Sequence, residues 1–381
     1  MKSLHPPLQK GEKFPSLSKE GQGGRFPKRA NCGAMRKSAL NNFKEPVVMK
    51  ALVLTSKEEG VVLNTDYPQP VAQIGEVRIK VLAAALNHRD VWINQGQYGG
   101  IKYPTILGSD GVGVVESLGE GVASEWLGKT VLINPSNQWG DNQRHQSKQY
   151  HILGLPKDGT LAEYLTVNAD RLRLAPAHLS IEQAAALPLA GLTAYRVLFG
   201  RAQLQAGEKV LISGIGGGVA LFAMQFAIAA GAEVYVSSSS EEKIAHAVQM
   251  GAKAGVLYTE ENWHKNFVKT YGEVDVVIDS ACGHGFAALI DILALGGRIA
   301  FYGGGQGAIN GLIPQKVFWK QISIFGSTMG SDEQFQQMVD FVERHHIVPV
   351  VDSVFAFEDG VAAFARMAEG AQFGKLVVKV S

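Results

Sequence analysis

The run Lys209-Val210-Leu211-Ile212-Ser213-Gly214-Ile215-Gly216-Gly217-Gly218-Val219 leaves this chain few folds to choose from. A short apolar strand ends in a glycine-rich turn, and an apolar helix pattern over 219–230 opens directly behind it. Glycines let the backbone turn sharply and let a ligand come close, while a helix start presents free N–H groups and a positive dipole end to an anion. In that setting the run reads as a dinucleotide fingerprint, with Gly214, Gly216, Gly217, Gly218 and Val219 as the expected pyrophosphate contacts. The match is imperfect, because Ile215 fills the first fingerprint position and Ala220 the last.

Around that turn strands and helices alternate. Strands are expected at 233–237, 255–257, 274–279, 298–302 and 322–325, separated by helical stretches such as 241–250. Alternation at this spacing means a doubly wound parallel sheet. Earlier residues read differently. Short strands at 50–54, 76–81, 111–115, 129–133 and 162–167 make an all-β region, interrupted by an irregular polar lobe at 134–160. Helices follow at 181–187 and 191–199, and strands at 350–354 and 376–380 resemble a return to the first region. The expected domains are therefore 49–175 completed by 329–381, and 176–328. Residues 1–48, rich in Lys, Arg, Pro, Gly and Ser, are expected to be a disordered extension, with Met49 as the expected start of the protein.

Bulk composition excludes several partners. With 36 basic and 35 acidic side chains the formal net charge is +1, so nothing points to nucleic acid or an anionic membrane surface. No apolar run reaches the ~20 residues that a membrane helix needs. Two cysteines, Cys32 and Cys282, form no disulfide framework and fit a reducing, cytoplasmic setting.

The strand at 233–237 sets the choice of nicotinamide cofactor. NAD-binding folds place an acidic residue at its end for the ribose 2′-hydroxyl. Here it runs into Ser237-Ser238-Ser239-Ser240, with Lys243 one turn into the helix. Hydroxyls and an ammonium suit a 2′-phosphate, so Ser238, Ser239 and Lys243 point to NADPH. The alternative is a serine-rich helix cap with a solvated lysine.

Four motifs in order carry a family resemblance: Asn87-His88-Arg89-Asp90, Gly108-Ser109-Asp110-Gly111-Val112-Gly113, 186–195 (Ala186-Leu187-Pro188-Leu189 through Tyr195) and the glycine turn. From Met49 to the end the chain resembles the medium-chain dehydrogenase/reductase superfamily, nearest to its zinc-free quinone oxidoreductase and enoyl reductase branch. It also resembles a group termed zinc-type alcohol dehydrogenase-like. The resemblance implies an α/β protein with a GroES-like β domain plus a Rossmann doubly wound parallel sheet, and a homodimer joined at 321–326. Where zinc enzymes of the family carry their catalytic ligands, this chain has Asn87, Ser109 and Leu189. Arg89 replaces the relay hydroxyl, and the lobe has no cysteine for a structural zinc. His145, His151 and Asp141 are either polar loop residues or a stray metal site; no metal is expected.

The same resemblance suggests Asn87, Asp90 and Tyr98 as catalytic residues. It places His88 near the pyrophosphate, Thr193 near the nicotinamide, Tyr258 near the adenosine ribose, and Gly326 and Ser327 near the carboxamide. Cys282 reads as an inert thiol. The expected activity is metal-free, NADPH-dependent reduction of a small quinone or α,β-unsaturated carbonyl. Two alternatives stay open: an alcohol or aldehyde dehydrogenase with atypical zinc ligands, and an NADPH-binding sensor whose active site has decayed.

Overall fold

The computed structural model describes residues 47–381; the extension expected at 1–48 lies outside the described residues up to residue 46. Ordered pairing begins just ahead of Met49. Val48 pairs with Pro68 in the strand Val48–Ser56, and the Val47 carbonyl accepts from the Gln69 N–H at 2.9 Å.

Runs of Val, Ile and Leu with no polar alternation cannot face water on either side, so they form a parallel sheet covered on both faces. Its spatial order is Ala254–Leu257, Glu233–Ser238, Lys209–Ile212, Val274–Asp279, Leu293–Phe301, Ser323–Gly326, all parallel. The chain starts in the middle, at Lys209–Ile212, winds outward to one edge, then returns and winds to the other. The winding reverses between Lys209–Ile212 and Val274–Asp279, and ligands of such sheets bind at the carboxyl ends of the strands at that reversal. The helix Gly218–Ala229 packs on one face with Phe222, Phe226 and Leu221. Phe267 and Phe286 close the opposite face. This is the doubly wound sheet expected from the alternation.

The first domain is a seven-stranded sheet plus the three-stranded sheet built on Val48–Ser56. The strand Gly60–Pro68, missed in the sequence, pairs with Val48–Ser56. The two late strands do return here: Lys375–Lys379 runs beside Glu76–Ala85, with Val377 opposite Ala85, and Val351–Ala356 extends the sheet. The polar lobe holds one small ribbon, Ser136–Asn137 against His151–Ile152.

Two arginines fasten distant parts of the chain. Arg171 donates Nη2 to Asp332 Oδ2 at 2.6 Å and Nη1 to the Ser136 carbonyl at 2.7 Å. Arg196, on the π-helical turn after Pro188–Tyr195, donates to the Gln143 and Arg144 carbonyls at 3.0 and 2.8 Å and lies over the Trp139 ring. It therefore ties the lobe to the nucleotide-binding side.

The helix Asp332–Arg344 begins at a Ser331/Gln334 capping box and buries Phe335 completely in the core shared by both domains. Phe335→Ala is expected to destabilise the protein by about 3–5 kcal/mol, read as a lower denaturant midpoint at unchanged slope. An unchanged midpoint would mean that this helix is not part of the core.

Candidate active site

At the expected fingerprint the backbone bends as a phosphate cradle requires. Gly214 and Gly216 take φ of +67° and +115°, and Gly217 caps the helix that starts at Gly218. Side chains would fill the space: a Cβ on Gly216 would meet Lys243 Cδ at 2.7 Å, and one on Gly218 would meet Lys375 Cδ at 2.8 Å. The first intrahelical bond is Leu221 N–H to Gly217 O, leaving the Gly218, Val219 and Ala220 N–H groups at the helix mouth. Ser213 Oγ donates to Asp279 Oδ1 at 2.6 Å, which ties the turn to the neighbouring strand.

Beyond the next strand the serines divide their roles. Ser238 is buried, and its hydroxyl accepts from the Ser240 N–H. Ser240 caps the following helix by accepting from the Lys243 N–H. Ser239 is exposed, and the Lys243 side chain crosses Gly216 to reach the Gly370 carbonyl at 3.2 Å. The structure thus brings Lys243 to the glycine turn, leaves Ser239 exposed, and uses the Ser238 and Ser240 oxygens as acceptors in local turns. Burial holds the Lys243 pKa below its ordinary value, with Asp352 opposing. Tyr258 is half exposed, and its N–H donates to Ser238 O.

Where the turn meets the first domain lies a buried polar knot. Lys375 Nζ donates to Asp110 Oδ2 at 2.7 Å and to Asn87 Oδ1 at 2.8 Å. Asn87 Nδ2 donates to Asp110 Oδ2 at 2.9 Å, and the Leu189 N–H to Asp110 Oδ1 at 2.6 Å. An ammonium only donates and a carboxylate only accepts, so the Asn87 amide has one workable orientation. One amide N–H of this catalytic candidate therefore belongs to Asp110. Asp90 is fully buried, and its Oδ2 accepts from the Asn87 N–H at 2.8 Å. Burial raises its carboxyl pKa above the ordinary range, with Arg89 the main opposing influence. Its Oδ1 is buried without a hydrogen-bond partner among the described residues.

Sequence reasoning missed Lys375 as a site residue, since by itself it reads as the first residue of an ordinary strand. Its signal is a lysine between Gly374 and the wholly apolar Leu376-Val377-Val378.

His88 is exposed beside this knot. Desolvation first, and the Lys375 charge second, hold its pKa below the usual imidazole value. Arg89 turns the other way and is buried: Nη1 donates to Ser109 Oγ at 2.7 Å and to Leu153 O at 2.9 Å, and the guanidinium lies 5.2 Å from the Tyr98 ring centre. Tyr150, from the lobe, has a buried hydroxyl without a partner and lies close enough to feel the Arg89 charge. Thr193 Oγ1 donates back to Leu189 O, beside Met329 Sδ at 3.8 Å. Gly326 O accepts from Arg201, while Ser327 Oγ is buried without a partner. Cys282 donates to Gly303 O, and burial followed by Asp279 raises its thiol pKa, the opposite of an activated nucleophile.

Comparison with known proteins places this geometry. Residues 73–177 match the alcohol dehydrogenase GroES-like domain and residues 218–344 the zinc-binding dehydrogenase domain. The zinc-type alcohol dehydrogenase-like protein YogA of Leptosphaeria maculans is 34% identical over 335 residues, covering 82% of this chain and 92% of that protein. The chain belongs to the medium-chain dehydrogenase/reductase superfamily. A quinone oxidoreductase of Mus musculus is 29% identical, covering 83% of this chain and 92% of its own. The crystal structure of an NAD-dependent alcohol dehydrogenase superimposes with a TM-score of 0.81 at 35% identity, covering 87% of this chain and all of that one. As a member of the superfamily this protein is an oxidoreductase, with a GroES-like domain and a Rossmann-like domain.

The superfamily's zinc does not fit the residues present. At the three ligand positions Asn87 is bound into the knot, Ser109 accepts from a guanidinium, and Leu189 has no donor atom in its side chain. Among the described residues no group of three or more His, Cys, Asp or Glu side chains comes together, at this place or in the lobe around His145 and His151.

Lys375 and Asp110 are both almost wholly buried, so removing one strands the other charge. Lys375→Met is expected to cost about 3–5 kcal/mol, with part of the loss restored in the Lys375→Met/Asp110→Asn double variant. Thermal melts of the four proteins test this; strict additivity would mean the two groups are not coupled.

Proposed function

We propose that this protein is an NADPH-dependent reductase that works without a metal on quinones or α,β-unsaturated carbonyls. The observation that carries the reading is the catalytic ligand triplet occupied by Asn87, Ser109 and Leu189, with the polar two engaged by Lys375, Asp110 and Arg89. Without a Lewis acid, reduction of an isolated carbonyl leaves a localised alkoxide with little to stabilise it. A conjugated acceptor spreads the same charge over several atoms, and hydrogen-bond donors then suffice.

When bound, the reduced dinucleotide supplies a hydride. The chain's own residues do the rest. Gly214, Gly216, Gly217, Gly218 and Val219 hold the pyrophosphate at the helix mouth, with His88 beside it. Ser239 and Lys243 take the 2′-phosphate, with no carboxylate ending the strand Glu233–Ser238 to repel it. Asn87 and Tyr98 border the acceptor, and Asp90 positions them through the Asn87 backbone. Thr193 and the Gly326-Ser327 turn border the nicotinamide. The work takes place in a reducing, cytoplasmic setting, a reading supported by the few cysteines; among the described residues no helix is long and apolar enough to cross a membrane.

Anaerobic oxidation of NADPH and NADH against quinones, enones, aldehydes and alcohols tests the proposal, with zinc measured in protein purified without added metal. Turnover of quinones or enones with NADPH preferred is the expected outcome. Lys243→Ala is expected to raise KM for NADPH about 10-fold or more while leaving NADH nearly unmoved. Stoichiometric zinc with NAD-linked alcohol oxidation would overturn the metal-free reading. Tight NADPH binding with no turnover would make the protein a sensor.

We also propose a homodimer through the sheet edge Ser323–Gly326. Ile324 there is partly exposed, and Leu295, Phe318 and Trp319 nearby are strongly exposed, a patch that a second copy related by a two-fold axis would cover. Sedimentation is expected to show a dimer, and a Phe318→Ser/Trp319→Ser variant a monomer. A variant as dimeric as the parent would rule out this edge.

A further inference from the structure

We infer that Arg89 is a catalytic residue: its guanidinium is the oxyanion site that holds the acceptor's oxygen as negative charge develops on it. The inference rests on the reductase reading above and assigns the charge that, in that reading, no metal supplies.

Four observations point to it. Arg89 is only 7% exposed, yet it takes part in no ion pair among the described residues. A buried cation without a contacting carboxylate is costly, and such groups call for an explanation in ligand binding. Next, the group is rigidly aimed. Nη1 alone carries both anchoring bonds, to Ser109 Oγ and Leu153 O, and the Tyr98 ring supports the guanidinium plane. Third, donors are left over. Nε is buried without a partner, and Nη2 makes no hydrogen bond among the described residues, so donors remain for an oxygen. Last comes location: Ser109, its anchor, stands at a metal-ligand position of the superfamily, and Tyr98 and Tyr150 lie around it.

The chemistry balances without a metal. Hydride from the reduced nicotinamide dinucleotide adds to the carbon β to the carbonyl. The C=C pair shifts so that charge reaches the carbonyl oxygen as an enolate, and the dinucleotide leaves oxidised. Arg89 holds that oxygen by charge-assisted hydrogen bonds. A guanidinium does not give up its proton near neutral pH, so water supplies the proton that completes the α-carbon. A quinone follows the same course, with a hydroquinone monoanion as the held species.

The test reads the oxyanion site apart from turnover. The probe 4-nitrophenol, whose phenolate absorbs visibly, is titrated with the full chain in the presence and absence of NADP+. The bound probe's pKa is expected to fall by about one unit or more, to fall less in Arg89→Lys and not at all in Arg89→Met. With an active acceptor, Arg89→Met is expected to lose about 100-fold or more in kcat, with KM for NADPH unmoved and part of the rate restored in Arg89→Lys. No shift in the parent protein, or a full shift in Arg89→Met, overturns the proposal even if quinones are reduced. If the parent reduces no quinone or enone, the reductase reading fails while the phenolate titration still decides the role of Arg89. Should Arg89→Met not fold, the parent's shift and its reduction in Arg89→Lys carry the decision.

Discussion

Everything at the centre of this molecule leans on one buried ammonium. Lys375 reaches from the last strand to Asp110 and Asn87, while its stem lies against Gly218 at the mouth of the nucleotide-binding helix. Asp110 passes the constraint on, because its second oxygen takes the Leu189 N–H at the start of the helix Pro188–Tyr195. Three parts of the chain far apart in sequence are therefore positioned by one carboxylate. The backbone bond from Gly374 N–H to Gly216 O adds a fourth tie at the same place.

A second arginine-centred layer surrounds the knot. Arg196 seizes two lobe carbonyls and covers Trp139, which packs edge-on against Tyr150. Burial lowers the Arg196 guanidinium to about 10, still charged at neutral pH. The lobe is thus pinned by charge and aromatic packing, and Tyr150 with it.

Much of this was legible beforehand, and the limits have physical causes. Parallel strands buried on both faces write themselves as apolar runs, so five of the six Rossmann strands were placed to within a residue or two, as was the glycine turn; Leu293–Phe301 starts five residues earlier than expected. Of the two returning strands, Lys375–Lys379 was legible as a buried apolar run, while Val351–Ala356 is a partly exposed edge strand. Gly60–Pro68 was not, since it mixes polar and apolar residues at a sheet edge. Side-chain partners were harder still. Asn87 and Asp90 were singled out; the Asn87 contact with Asp110 depends on strand register, whereas the Asp90 bond to the Asn87 backbone is a local helix cap. Ser238 pointed to a phosphate by its type, and that its oxygen also accepts the Ser240 N–H was not visible there. Lys375 and Arg89 acquire meaning only once distant strands are side by side.

The strand Lys375–Lys379 sits between Glu76–Ala85 and Val351–Ala356, in the interior of the first domain's sheet. A ribosome delivers that strand after all the other strands described here. The six-stranded nucleotide-binding sheet emerges whole and closes on its own neighbours, whereas the first domain keeps an open slot until Lys375–Lys379 has been made. Such long-range closure is slow and exposes unpaired strand edges in the meantime. The nucleotide-binding sheet is therefore complete while the first domain's sheet still lacks an inner strand.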